Sequence, residues 1–245
     1  KIALNIGLER ESEERIKAGI LHVISDGVNN GNLYEEVSNL KEKVFSVLEI
    51  DKNKNKETVK RALHSLYEQE KVKLLTYLDK HYLTMPQFYF SEQGISNKIK
   101  KLLSNNMSSK KVDIDSVYNY IKSKDQNSFI LNEDQQRSII ACFKSKITVI
   151  TGGPGTGKTT LIRKLIEILE KNKFTFRLSA PTGRAAKRMF EGTGRSTETL
   201  HRLLEFTPIS MSFTKNESNV LQTDFLIIDE ASMIDVFIMH AILRA

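Results

Sequence analysis

A chain of 245 residues, 40% hydrophobic and 27% charged, has the length for one large core or two ordinary ones and the composition of a soluble globular protein. Its single cysteine, Cys142, excludes an internal disulfide framework and fits a reducing cytoplasm, and five scattered histidines without paired spacing argue against a structural zinc site. The net charge of +7 and pI near 9.3 favour a polyanionic partner, and no apolar run reaches bilayer length.

The N-terminal stretch from Lys1 to Gly7 lacks the apolar core of a secretion signal and an initiator Met, so it reads as processed, trimmed or excerpted. Ile16, Ile20, Val23 and Ile24 then share one face of a helix opening near Ser12. The run Asn29–Asn32 breaks the chain, and Leu40, Val44, Val47 and Leu48 form a second stripe. Asp51 to Lys56 reads as a polar loop. A third helix presents Val59, Leu63, Leu66 and Tyr67. Val72 to Leu78 alternates as a strand would, Asp79-Lys80 can turn the chain, and Tyr82 to Met85 can return beside it. Pro86 closes that hairpin, and a further helix is expected to bury Ile95, Ile99, Leu102 and Leu103. Helices followed by a small hairpin suggest a winged-helix-like module, either a DNA- or partner-binding accessory domain or a packing scaffold.

The polar run from Asn105 to Lys111 is the expected boundary, giving a domain over 1–108, a linker and connecting helix over 109–130 and a second domain over 131–245. Ile114, Val117, Tyr118 and Ile121 mark the face of that connecting helix. Beyond Asn132 the pattern alternates: strands at Ile147–Ile150, Phe174–Ala180 and Phe225–Ile228 are separated by helices, which predicts an α/β fold with a parallel sheet covered on both faces. Residues Thr207 to Gln222 read as an irregular excursion or a hairpin.

The segment Gly152-Gly153-Pro154-Gly155-Thr156-Gly157-Lys158-Thr159 fits G-x-x-x-x-G-K-[ST]. Its glycines let successive backbone N–H groups point inward at phosphate oxygens, and the helix behind, with Leu161, Ile162, Leu165 and Leu169, aims its positive dipole end at the same anion. Lys158 supplies charge for the β- and γ-phosphates, and the Thr159 hydroxyl can ligate Mg²⁺. The nucleotide-contacting set therefore runs from Gly152 to Thr160. Asp229 and Glu230 follow the apolar run Phe225–Ile228, at the strand end where ligands gather in open α/β sheets. Asp229 can hold Mg²⁺ and Glu230 can orient and deprotonate a water; an acidic cap for the next helix is the plainer alternative.

Asp229-Glu230-Ala231-Ser232-Met233 resembles motif II of the RecD-like (RecD/TraA) branch of superfamily 1 helicases. Ala180-Pro181-Thr182-Gly183-Arg184-Ala185-Ala186-Lys187-Arg188 is similar to that branch's motif Ia, and Thr199-Leu200-His201-Arg202-Leu203-Leu204 to the motif after it. Leu131 to Gln135 resembles the adenine-reading Q motif, although Asn132 with Gln135 also has capping-box spacing. A looser likeness to accessory regions of RecD-like helicases lies at Ile2–Gly7 and Arg15–Ile20.

The resemblance implies a RecA-like first motor domain, a DNA-stimulated ATPase with ATP and Mg²⁺, and 5′ to 3′ movement on single-stranded DNA and single-strand/duplex junctions. It implies DNA contacts at Pro181, Thr182, Gly183 and Arg184; His201 can contact DNA, touch a neighbouring motif, or be a satisfied half-buried histidine. A solvated helix face is the alternative for Arg184, Lys187 and Arg188. A motor of this kind also needs a second RecA-like domain and an arginine finger; neither is found before Ala245, so the 245-residue chain is expected to bind nucleotide and hydrolyse it very slowly. Two other classes stay open: a P-loop ATPase that moves no nucleic acid, and a non-catalytic module that binds DNA or a protein partner through the N-terminal domain. A GTPase is disfavoured by the lack of an Asn-Lys-x-Asp sequence.

Overall fold

Residues 9–104, 113–122, 131–153 and 155–245 are described in a computed structural model of the chain. It divides into two units, Lys1–Gln93 and Gly94–Ala245. The division precedes the polar stretch 105–111, which lies outside the described residues, as do Ile2–Gly7 and Pro154.

In the first unit, α1 (Glu13–Asn29) opens with Glu13 and Glu14, whose charges complement the helix dipole, and buries Ile16, Ile20, Val23 and Ile24. The short strand β1 (Glu35–Glu36) leads into α2 (Val37–Leu48). Leu40, Val44 and Leu48 are buried as expected, but Phe45 completes the set; Val47, on the flank of that stripe, is 51% exposed. The segment read as a loop at Asp51–Lys56 is instead the start of α3 (Lys52–Glu68). The Asp51 carboxylate accepts from the Lys54 N–H at 2.9 Å, and buried Asn55 donates to the Asp51 carbonyl at 3.0 Å, so polar residues nucleate the helix. Within α3, Val59, Ala62 and Leu66 are buried, and Tyr67 is half exposed.

Strands β2 (Lys73–Tyr77) and β3 (Lys80–Thr84) pair antiparallel, and β1 adds to the far edge of β3, giving the order β1-β3-β2. The connecting turn falls on Leu78 and Asp79, one residue earlier than expected. Both have positive φ, 46° and 59°, as a two-residue turn matched to strand twist requires. The order helix, strand, helix, helix, strand, strand is winged-helix-like. Pro86 is the first residue of α4 (Pro86–Ser104), where its missing N–H costs nothing. The burial expected along α4 is shallower: Ile95, Ile99 and Leu102 are half-buried, and Leu103, roughly 80° around the helix from Ile95, is 64% exposed.

In the second unit, α5 (Ile114–Lys122) buries Val117 and Ile121 with Ile139 and Phe143 of α6 (Glu133–Lys144) and Leu161, Leu165, Ile168 and Leu169 of α7 (Lys158–Lys171). Cys142 of α6 donates its Sγ–H to the Ser138 carbonyl at 3.3 Å, and burial pushes its thiol pKa up, which suits an inert thiol. The sheet is three parallel strands in the order β5-β4-β8, with β4 Phe176–Ala180, β5 Thr197–Thr199 and β8 Phe225–Ile228. Side-chain alternation along β8 covers both faces: Phe225 and Ile227 pack with the α5–α7 cluster. Leu226 and Ile228 pack with Leu200 and Leu203 of α9 (Leu200–Leu203) and with Ile238 and Ala241 of α10 (Val236–Arg244). Helix α8 (Gly183–Thr193) adds Met189 against Leu178.

The expected strand Ile147–Ile150 is not paired into this sheet. The Thr148 hydroxyl donates to the Ala141 carbonyl at 3.3 Å, which holds the segment on α6; Ile150 packs on the apolar cluster, while Val149 is 81% exposed. The excursion after α9 contains a small hairpin, β6 (Phe206–Thr207) with β7 (Ser212–Phe213). After it, Glu217 sits between Lys98 Nζ at 3.1 Å and Arg244 Nε at 2.9 Å. Its own backbone hydrogen bond, then Lys98 and Arg244, hold the carboxyl at a pKa of about 2. A depressed pKa stabilises the fold above the unfolded-state pKa, and that contribution fades as pH falls from the ordinary glutamate range towards 2. The Tm difference between wild type and Glu217→Gln is therefore expected at neutral pH and should shrink across that window; a difference independent of pH would refute the ion-pair assignment.

Candidate nucleotide and nucleic-acid site

The phosphate-binding loop sits between the Ile150 segment and α7. Gly155 and Gly157 have φ of 76° and 85°, a region side chains with a Cβ rarely adopt, so the glycines there are required by the backbone. The Lys158 Nζ donates to the Gly152 carbonyl at 2.6 Å and the Gly153 carbonyl at 2.9 Å, and the Thr156 hydroxyl also donates to Gly153 at 2.9 Å. The lysine thus folds back on its own loop, its ammonium group held by two backbone carbonyl oxygens. Lys158 and Thr159 are exposed and Thr160 is half-buried.

Gln135 fills two positions at once. Its Oε1 accepts from the Asn132 N–H at 3.0 Å while Asn132 Oδ1 accepts from the Gln135 N–H at 2.9 Å, a reciprocal cap on α6. Its Nε2 also donates to the Thr156 carbonyl at 3.1 Å, joining the start of α6 to the phosphate-binding loop.

Asp229 lies just past the end of β8, where its N–H donates to the Ser179 carbonyl of β4 at 3.0 Å. Its Oδ1 accepts from the Glu230 N–H at 2.9 Å, and Glu230, at φ 53°, turns the chain into a single 3₁₀ turn, Ala231–Met233. Asp229 is half-buried and Glu230 exposed. Among the described residues, no hydrogen bond or ion pair joins either carboxylate to Lys158 or Thr159. The Thr159 hydroxyl and the Asp229 carboxylate are hard oxygen donors of the kind Mg²⁺ takes.

The sequence-predicted DNA contacts gather at the end of β4. Pro181 follows the strand, Thr182 caps α8 by accepting from the Ala185 N–H at 3.2 Å, and Gly183 and exposed Arg184 form the first turn, with outward backbone N–H groups. Parallel pairing of β4 with β8 puts this turn and Asp229 at the same end of the sheet. His201 is exposed and edge-on to Phe206, with ring centroids 5.4 Å apart, and also meets Phe213 at 5.9 Å; the neighbour it touches is the β6–β7 hairpin.

One contact was not anticipated. The Arg163 guanidinium of α7 donates to the Gly192 carbonyl in α8, and a Cβ on Gly192 would lie 2.6 Å from Thr159 Cγ2. A glycine inside a helix is the signal that could have found it, since it costs helix stability unless close packing needs it.

A P-loop followed by a helix, with an acidic pair at the end of a parallel strand, defines a P-loop nucleotide-binding domain, and residues 135–245 match the AAA domain family. The same segment is similar in sequence to RecD-type proteins. It is similar to the ATP-dependent RecD2 DNA helicase of Deinococcus radiodurans, 38% identical over 115 residues covering 47% of this chain and 16% of that protein. The RecBCD enzyme subunit RecD of Buchnera aphidicola subsp. Schizaphis graminum is 39% identical over 132 residues, covering 45% of this chain and 22% of the relative. The corresponding subunit of Mycolicibacterium smegmatis is 34% identical over 137 residues, covering 46% and 25%. The chain thus spans a quarter or less of the length of these relatives.

Proposed function

We propose that this chain carries the ATP-binding part of a 5′–3′ DNA helicase or translocase of the RecD-like type, working on single-stranded DNA and junctions in recombination or repair. The observation that carries the reading is the shared sheet end: the Thr182–Arg184 turn and Asp229 stand beside one another where β4 and β8 finish. In this reading Gly152–Thr160, Pro154 included, cradles the phosphates, Lys158 neutralises the β- and γ-oxygens, and Gln135 contacts adenine. Thr159 and Asp229 hold Mg²⁺, and Glu230 activates water. Pro181, Thr182, Gly183, Arg184 and His201 face the DNA strand, and a second RecA-like domain completes the ATP site. The N-terminal unit is a candidate surface for a protein partner.

Arg184→Ala tests the DNA half of this reading. Loss of one phosphate contact should weaken binding to an oligothymidylate several-fold and flatten the log K against log salt slope by about 0.7. An unchanged affinity and slope would remove Arg184 from the track.

A further inference from the structure

Beside the Arg184 turn lies an open groove of about 380 Å³ between α8 and the edge strand β5. It is lined by Gly183, Ala186, Lys187 and Phe190 of α8, by Thr197 and Thr199 of β5, and by Arg202 of α9. Gly183, Ala186, Lys187 and Phe190 fall at spacings of three and four, so they form one stripe of α8. The volume lies in the range of about 300–1,000 Å³ that ligand clefts occupy.

Two observations show what would fill it. Phe190 is 52% exposed although it is the largest apolar side chain of α8, so burial in this unit does not account for it. The charge around it is unbalanced. Among the described residues no carboxylate pairs with Arg184, Arg188 or Arg202, and Lys187 reaches only Glu191, at 3.9 Å. The acid on the groove, Glu198, is taken by Arg177 at 2.6 Å. The positive balance of the whole chain also falls on this unit: residues 94–245 contain 23 lysines and arginines against 15 carboxylates, whereas residues 1–93 contain 14 against 15.

An exposed aromatic face between cations is the arrangement that binds single-stranded nucleic acid, a base stacking on the ring while phosphates meet the charges. We propose that this groove seats one nucleotide of a single-stranded DNA, with Phe190 as the stacking platform and Lys187 and Arg202 on the flanking phosphates. The strand then continues from the Arg184 turn along the outside of α8. This rests on the functional reading above and adds to it a stacking residue, Phe190, and two phosphate contacts, Lys187 and Arg202, to which that reading gave no DNA role.

The test uses the full chain and a fluorescein-labelled oligothymidylate. Phe190→Ala should weaken binding about 5- to 100-fold, the loss expected for one base–aromatic stack, and Phe190→Tyr should restore most of it. Lys187→Gln and Arg202→Gln should each flatten the salt slope by about 0.7. Because the chain has no tryptophan, Phe190→Trp provides a single reporter whose emission should be quenched by the oligothymidylate and much less by a blunt duplex. Binding of a fluorescent ATP analogue should be unchanged in every variant, which verifies the fold. If wild type binds the oligonucleotide while Phe190→Ala binds equally well and the tryptophan reports nothing, the groove assignment is overturned and the helicase reading stands. If wild type binds nucleotide but no single-stranded DNA at any salt, both fall.

Discussion

Lys158→Ala is expected to remove nucleotide binding almost completely while leaving the fold intact. Lys158 brings the one full positive charge in the loop, and a hydrogen bond to a charged group contributes about 1.5–3 kcal/mol. Losing contacts to two phosphates therefore costs about 3–6 kcal/mol, or roughly a 10²- to 10⁴-fold weaker complex. The side chain is exposed and, among the described residues, bonds the Gly152 and Gly153 carbonyls alone, so the Tm should move little. Titration of a fluorescent ATP analogue, with and without Mg²⁺, measures the loss. Wild-type affinity in the variant would mean that this loop is not the phosphate site.

Leu169→Ala should have the largest effect on stability. Leu169 is fully buried, on the α7 face that meets Phe143, Val117 and Ile121, and its truncation leaves a cavity with apolar walls. Such substitutions cost about 2–5 kcal/mol. Val149→Ala is the matched control. At 81% exposure it should stay within about 0.5 kcal/mol of wild type, whereas a Val149 inside a buried strand would cost clearly more. Urea unfolding of both variants decides between these outcomes, and a Leu169→Ala change below about 1 kcal/mol would contradict the packing described for α7.

The contrast between these two residues shows how much the sequence revealed. Phe225–Ile228 is legible as a strand because a short apolar run ends in Asp229-Glu230, and its lack of polar residues agrees with a sheet covered on both faces; which side chains meet which helix layer comes from the packing. Ile147–Ile150 is a comparably short, β-branched run but is held on α6 by the Thr148 hydroxyl-to-carbonyl bond, a contact between residues seven apart that composition does not display. Asp51–Lys56 was misread for a related reason. Its polar letters suggested a loop, while the capping carboxylate and buried Asn55 use that polarity to start a helix. At the candidate site the residue pattern located the loop and the acidic pair, and the resemblance to RecD-like helicases pointed to the Arg184 turn. It could not indicate the clasp of Gln135 on Thr156, nor the groove beside Phe190, because both depend on how separate elements are rotated against one another.

The close approach of Gly192 to Thr159 gives α8 a mechanical meaning. The helix is about 16 Å long, stiff on that scale, with Arg184 in its first turn and Thr193 at its end. Its last turn rests, with no Cβ between, on the methyl of the residue whose hydroxyl is the candidate Mg²⁺ ligand. In the proposed reading, where the first turn faces a DNA strand, α8 links that turn to Thr159 by a path outside the sheet. In engineering terms α8 is a pushrod, and the absent side chain at Gly192 is the clearance that lets it seat.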